Sequence, residues 1–228
     1  MKYKVVLLFF LTSIKMVSQT DQIVDKSVDS LYREDQFYMN ITNNSLIKTP
    51  DEFSQNRFSP GLAIGFLRDM PINKKRNVAV ALGFGYSLSI LNQNISVTES
   101  PSGNIFSTMT PSSFQKNKLS IHYLEIPFEI RWRTSTPTNN QFWRIYSGFK
   151  LSYQFYNQYK YEGVNPTVSM TNLPEINTIQ YGAYLAAGYD TLNVYFYYGL
   201  NPIFKSAAIA NQNINVAALN FGLQFYIL

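Results

Sequence analysis

Apolar and polar residues alternate along most of this chain, and that two-residue period constrains its fold more than any other feature. Successive side chains of a β-strand point to opposite faces, so alternation predicts strands with one apolar and one polar or small face. The clearest segment is 77–91, where large apolar residues alternate with Ala, Gly and Ser. Eight such segments follow the polar N-terminal stretch: 36–46, 57–70, 77–91, 118–133, 141–156, 178–189, 192–202 and 214–228.

The connections between these segments alternate in length. Three are short: 71–76, 134–140 and 190–191. Four are longer and polar: 48–56, 92–117, 157–177 and 205–213. An even number of strands with short turns at one end and long loops at the other is typical of bacterial outer-membrane barrels. The sequence therefore predicts an all-β fold, an eight-stranded antiparallel transmembrane β-barrel with up-and-down meander topology and periplasmic termini.

The two faces of the predicted strands favour a membrane barrel over a soluble one. Large apolar residues would overfill the interior of an eight-stranded barrel, whereas the opposite face of small residues and tyrosines fits it. Charged residues make up only 14% of the chain, against about 25% in a typical soluble protein. We therefore expect Leu82, Phe84 and Ile126 to face lipid, and Ser87 and Gln224 to face the lumen.

The N-terminus resembles a secretory signal. Lys2 and Lys4 precede an apolar run of about ten residues, which is the length of a signal-peptide core and too short for a membrane anchor. Small Ser18 marks the expected cleavage point. The predicted organisation is a signal peptide (1–18), a periplasmic N-terminal segment (19–35) and an outer-membrane β-barrel domain (36–228). The predicted location is the bacterial outer membrane.

Composition excludes several kinds of chemistry. The chain has no cysteine and one histidine, which rules out disulfides and thiol catalysis and leaves little for a metal site. The net charge of +5 falls to about +2 without the three lysines of the predicted signal, so nothing indicates nucleic-acid binding. We predict no cofactor, no metal and no catalytic residue, with outer-membrane lipid as the immediate partner.

A group of charged residues falls on the predicted inward face of the fourth and fifth strands. Aligning Trp132 with Trp143 in an interfacial girdle places Glu125 directly opposite Lys150. The same register brings Arg131 near Arg144, and Glu129 beside Tyr146. Buried charges must pair, so we predict a structural lumen cluster, with a ligand site or proton path as the alternative. Its members are Glu125, Glu129, Arg131, Arg144 and Lys150.

Two further predictions concern the fourth strand. Its apolar residues change phase at Tyr123, which suggests a β-bulge there. Ser120 and His122 share one face, so with Glu125 they could form a Ser-His-acid triad on the barrel wall, as in some lipid-modifying outer-membrane enzymes. The alternative is an interfacial histidine near the long-loop end.

Three segments resemble the PorT-like outer-membrane β-barrel family of Bacteroidota. They are 33–38, with the sequence REDQFY, 65–73, with the sequence GFLRDMPIN, and 123–131, with the sequence YLEIPFEIR. The family's namesake takes part in type IX secretion and gliding and is not an enzyme. The resemblance implies a non-enzymatic barrel with a structural role or an accessory role in protein secretion. In the second case its partners would be other outer-membrane or periplasmic secretion components. A surface-binding module that uses the long loops and a lipid-modifying enzyme are the alternatives.

Overall fold

The computed structural model describes residues 33–55, 57–136, 141–163, 167–209 and 212–227. The predicted signal peptide and residues 19–32 of the predicted periplasmic segment lie outside these ranges. No helix within them is long and apolar enough to cross a membrane. The strands are β1 Gln36–Ile47, β2 Pro60–Pro71, β3 Val78–Asn92, β4 Ile95–Thr98, β5 Ile105–Thr108, β6 Phe114–Arg133, β7 Trp143–Gly163, β8 Val168–Thr171, β9 Ile179–Tyr189, β10 Leu192–Gly199, β11 Ala208–Ile209, β12 Gln212–Asn213 and β13 Ala217–Ile227.

Eight of these strands form a closed antiparallel barrel, which confirms the predicted fold class. The order around the barrel is β1, β2, β3, β6, β7, β9, β10 and β13. Each barrel strand pairs with the next barrel strand along the chain, and β13 returns to pair with β1 along its length. The topology is therefore the predicted up-and-down meander, and closure removes the open edges that a flat sheet would expose.

The outer wall of the barrel is apolar, and the lumen is lined with small and polar residues. Leu82, Phe84 and Ile126 are 50%, 59% and 49% exposed, whereas Ser87 and Gln224 are buried. These orientations confirm the predicted phase of the strands. Such a continuous apolar surface is stable when it faces hydrocarbon rather than water.

Tyrosine rings fill the narrow lumen by packing against glycines. The ring of Tyr38 lies against Gly65 and Gly85, and a Cβ added at Gly65 would come within 2.5 Å of a Tyr38 ring carbon. The ring of Tyr184 lies in the same way against Gly148. Glycine is required at these positions because the facing ring occupies the space of a side chain.

A register shift lies beside Tyr123, at the level predicted for the bulge, but the extra residue belongs to the neighbouring strand and not to the fourth. Odd-numbered residues of β6 face inward without interruption from Leu119 to Arg133. The pairing of β6 with β7 shifts between His122–Tyr156 and Tyr123–Gln154, so β7 carries the extra residue. The apparent phase change arose because the inward face of β6 is apolar near the long loops and charged toward the short turns.

The long loops fold over one end of the barrel around an apolar core. Their buried residues pack with the inward residues of the barrel strands at that end. The loop members are Ile95, Val97, Phe106, Leu173, Ile176, Ile203, Phe204, Ala207, Ile214 and Val216. This apolar cap covers the lumen at the long-loop end.

Candidate functional site

The lumen near the short-turn end contains a network of ion pairs centred on Asp69. Arg131 Nη1 donates to Asp69 Oδ1 at 2.9 Å. The guanidinium of Arg133 binds the same carboxylate through two bonds of 2.9 Å each. Arg131 Nε also donates to Glu129 Oε2 at 2.7 Å. All four side chains are fully buried, so each carboxylate oxygen of Asp69 is satisfied by an arginine rather than by water.

The other oxygen of Glu129 is held by tyrosines from distant strands. Tyr184 of β9 and Tyr226 of β13 donate to Glu129 Oε1 at 3.0 Å and 2.8 Å. The network thus joins β2, β6, β9 and β13 across the lumen. Arg144 is also buried here, and its guanidinium lies 4.5 Å from the centre of the Phe142 ring.

The segment before β1 completes this end of the network. The backbone amide of Glu34 donates to Asp69 Oδ2 at 3.2 Å, and its carbonyl accepts from Arg131 Nη1 at 3.2 Å. Burial raises the pKa of the Glu34 carboxyl, and the nearby arginines, Arg133 most strongly, oppose that shift. The residues just before the first strand therefore lie against the charged network at the short-turn end of the lumen.

Glu125 and Lys150 form a second, separate ion pair closer to the middle of the barrel. Lys150 Nζ lies 2.9 Å from Glu125 Oε1, and Ser87 Oγ donates to the same oxygen at 2.6 Å. The ammonium of Lys150 lies 4.7 Å from the centre of the Tyr197 ring, within range of a cation–π interaction.

The predicted contact between Glu125 and Lys150 is confirmed, but the register that led to it is wrong. Glu125 lies opposite Ser152, and Lys150 lies opposite Pro127. The two side chains meet diagonally because residues two apart on neighbouring strands share a face and are within reach of long side chains. Trp132 lies opposite Ile145, and Trp143 packs instead on Tyr189 with a ring separation of 5.4 Å.

The same two-residue error affects the other predicted neighbours. Arg144 lies opposite Arg133 rather than Arg131, and Glu129 lies opposite Gly148 rather than Tyr146. All five predicted lumen residues are nevertheless buried inside the barrel. Glu34, Asp69 and Arg133 belong to the same network and were not predicted, although Asp69 has the inward parity of Ala63 on its strand.

The buried charges of the described residues balance. Four acidic and four basic side chains are buried, so their formal charges sum to zero. They are Glu34, Asp69, Glu125, Glu129, Arg131, Arg133, Arg144 and Lys150. Balance is required because an uncompensated charge in a dry interior costs several kcal/mol.

The structure does not bring the suggested triad together. His122 lies on the outward face of β6, where Tyr86 Oη and His122 Nδ1 are 2.8 Å apart. Glu125 is three residues further along and faces the lumen. The position of His122 fits the alternative of an interfacial histidine. No cluster of three or more His, Asp or Glu side chains capable of holding a metal occurs in the part of the chain that the structure describes.

A small cavity lined by both polar and apolar residues lies between the Glu125–Lys150 pair and the apolar cap. Its volume is about 60 Å³, and its lining includes Asn40, Asn220, Lys150 and, on the cap side, Ile203. A space of this size holds a few water molecules. The lumen is thus closed by ion pairs toward the short turns and by apolar side chains toward the long loops.

Residues 17–205 match a protein-family model described as an outer membrane protein beta-barrel domain. The chain belongs to this family. It is accordingly an outer-membrane β-barrel protein, whose short turns face the periplasm and whose long loops face outward.

Solved structures with a related shape are distant. The crystal structure of Ail, the attachment invasion locus protein of Yersinia pestis, is 10% identical with a TM-score of 0.42. The structure of Ail in complex with the heparin analogue sucrose octasulfate is 12% identical with a TM-score of 0.39. Each alignment covers 86% of this chain and all of the Ail chain. These similarities are too weak to indicate a function, and no curated protein sequence matches the chain.

Proposed function

We propose that this protein is a non-enzymatic surface-binding barrel, which presents its long loops as a rigid platform above a closed lumen. The observation that carries the proposal is the apolar core beneath the loops. Loops without such a core remain mobile and lose conformational entropy on binding, whereas a preorganised surface avoids that cost.

One buried asparagine ties the first two long loops together. Asn94, 1% exposed, accepts from the Ser54 amide at 2.7 Å and donates to the Glu52 and Met109 carbonyls at 2.8 Å each. The loop between β1 and β2 is therefore bonded to the loop between β3 and β6.

The second long loop is joined to the other two by contacts between side chains. The rings of Phe106 and Phe204 meet edge to face at 5.8 Å, which connects the second loop to the last. Asn104 Nδ2 lies 3.1 Å from both carboxylate oxygens of Glu175, which connects the second loop to the third.

Backbone contacts join the third and fourth long loops. The Lys205 amide donates to the Glu175 carbonyl at 2.8 Å. An isolated antiparallel bridge between Ile176 and Phe204 lies beside this bond. All four long loops are therefore connected to one another, and they form one platform rather than four independent segments.

The platform also contains a recess large enough for part of a ligand. A cavity of about 220 Å³ lies between the first long loop and the ends of β3 and β6. Its lining includes Arg57, Asn92 and Phe114. A cation, an amide and an aromatic ring together suit a polar ligand with an apolar face.

The proposal is tested with the purified mature protein in nanodiscs, applied to arrays of surface glycans and extracellular proteins. We expect binding that is lost when residues 99–104 are replaced by a Gly-Ser linker or when Arg57→Ala is introduced. The matched control is Lys74→Ala in the periplasmic turn, which should bind normally. Binding that survives both loop changes, or steady ion conductance in planar bilayers, would contradict a surface-binding role.

An accessory role in protein secretion is the second candidate, and the resemblance to PorT-like barrels supports it. The resembling segments contain Asp69, Glu125, Glu129 and Arg131, which are all buried in the lumen. The resemblance therefore reflects the structure of the barrel more directly than a role in secretion. Deleting the gene and comparing secreted proteins tests this role. An unchanged set of secreted proteins would remove the candidate.

The proposed absence of enzyme activity is supported by the separation of His122 from Glu125 on opposite faces of β6. Membrane lipids from cells that produce the wild type and His122→Ala should have the same mass spectra. A lipid species that depends on His122 would instead favour a lipid-modifying enzyme.

A further inference from the structure

The outer face of β6 defines where the hydrocarbon layer ends. Trp132 and His122 both lie on this face, ten positions apart along the strand. At about 3.3 Å per residue and a tilt of about 40°, they span about 25 Å, which is the height of the apolar band of an outer-membrane barrel. His122 therefore lies at the outer boundary of the membrane.

The bulge in β7 gathers aromatic side chains at this boundary. It turns Phe155 and Tyr156, which are consecutive in the chain, toward the same outward face. Their rings lie 6.0 Å and 5.3 Å from the His122 ring, and Tyr86 completes the group. A bulge that re-aims a side chain commonly marks a functional surface.

Lysines lie beyond this aromatic group, on the same outward face. Lys118 of β6 and Lys160 of β7 are directly opposite each other, four residues above His122 and Tyr156. Four residues correspond to about 10 Å along the membrane normal, which is the level of the lipid head groups. Like charges directly opposite each other on neighbouring strands are destabilising.

One acidic residue only partly offsets these lysines. Glu162 Oε1 lies 2.8 Å from Lys160 Nζ and 3.3 Å from Lys116 Nζ. Hydrogen bonds from Lys160 and Lys116 lower the pKa of Glu162. Lys118 forms no ion pair with any residue that the structure describes. Three lysines and one glutamate leave a net charge of +2 on this surface.

We propose that Lys118, Lys160 and the aromatic group below them bind a phosphorylated glycolipid of the outer leaflet. The lysines contact its phosphate, and its acyl chains lie against the apolar wall below His122. The charge, the height above the hydrocarbon layer and the adjoining apolar surface together match an anionic lipid. Neither lysine lines the recess of the loop platform, so this test is independent of the proposed function.

The test measures binding of lipid A to the folded mature protein in zwitterionic micelles. We expect Lys118→Gln with Lys160→Gln to weaken binding about 30-fold, from the usual contribution of a lysine near an anionic membrane surface. The matched control, Lys74→Gln with Lys75→Gln, removes the same charge from the periplasmic turn and should bind as the wild type does.

A comparison on the wild type alone keeps the test valid even if the double variant fails to fold. Diphosphorylated lipid A should bind at least about tenfold more tightly than the dephosphorylated lipid, because the phosphate is the group recognised. Equal binding of the two lipids would overturn the proposal. So would full binding by the folded double variant, or displacement of lipid A by millimolar inorganic phosphate, which would indicate a simple anion site.

Discussion

Breaking the ion pair between Glu125 and Lys150 gives the sharpest test of the lumen structure. The two groups lie 2.9 Å apart, and their side chains are 3% and 10% exposed. Removing one partner of such a buried pair leaves an uncompensated charge and costs about 3–5 kcal/mol, whereas replacing both with apolar residues of similar size costs far less.

The surroundings of the pair predict which single substitution lowers the free energy of unfolding more. Lys150→Met leaves Glu125 with one donor, the hydroxyl of Ser87. Glu125→Leu leaves Lys150 beside the rings of Tyr195 and Tyr197, where cation–π attraction offsets about 1–2 kcal/mol of the loss. We therefore expect Lys150→Met to cost more stability than Glu125→Leu.

The assay is urea unfolding of the refolded barrel in lipid vesicles, followed by fluorescence of Trp132 and Trp143, the two tryptophans of the chain. The control is Lys74→Met, the same substitution in an exposed turn, which should leave the free energy of unfolding unchanged. The double variant should be more stable than Lys150→Met alone. Simple additivity of the two single losses would show that the side chains do not interact.

Three other changes test separate parts of the structure. Phe84→Arg places a cation near the middle of the lipid face and should reduce the free energy of unfolding by about 2–4 kcal/mol, whereas Phe84→Leu should have little effect in the same urea titration. Asp69→Asn removes the carboxylate shared by Arg131 and Arg133 and should cost about 3–5 kcal/mol; a loss no larger than that of Asp51→Asn, in an exposed loop, would contradict the network. Asn94→Ala removes the three side-chain hydrogen bonds of Asn94, two of which join it to the first long loop, and should make both loops more sensitive to limited proteolysis without changing the heat-dependent gel mobility of the barrel; unchanged cleavage would show that the Asn94 side chain does not hold the loops.

Alternation predicted the barrel because a two-residue period determines which face of a strand each side chain occupies. It therefore placed Leu82, Ser87 and Glu125 on the correct faces without any knowledge of pairing. Asp69 and Arg133 follow the same parity and could have been predicted from it. Glu34 precedes the first strand, where alternation carries no information.

The register could not be predicted in the same way, because it depends on the offset between neighbouring strands along their length. Trp132 and Trp143 both belong to the periplasmic girdle, but the girdle constrains only their height in the membrane. A shift of two residues keeps every side chain on the same face, so the apolar–polar pattern cannot distinguish the two registers. The assignment of the bulge to β7 and the apolar cap were missed because both depend on contacts between segments distant in sequence.

The lumen network also determines when the barrel can be completed. Glu129 is partnered by Tyr226, which belongs to the last strand, and that strand must pair with the first to close the sheet. Until then Glu129 lacks one of its hydrogen-bond donors in an increasingly dry interior, so partly assembled barrels are less stable than the closed one. Pairing of the final strand is therefore needed to complete the lumen network. We expect a chain truncated before Tyr226 to reach the membrane but not to complete folding.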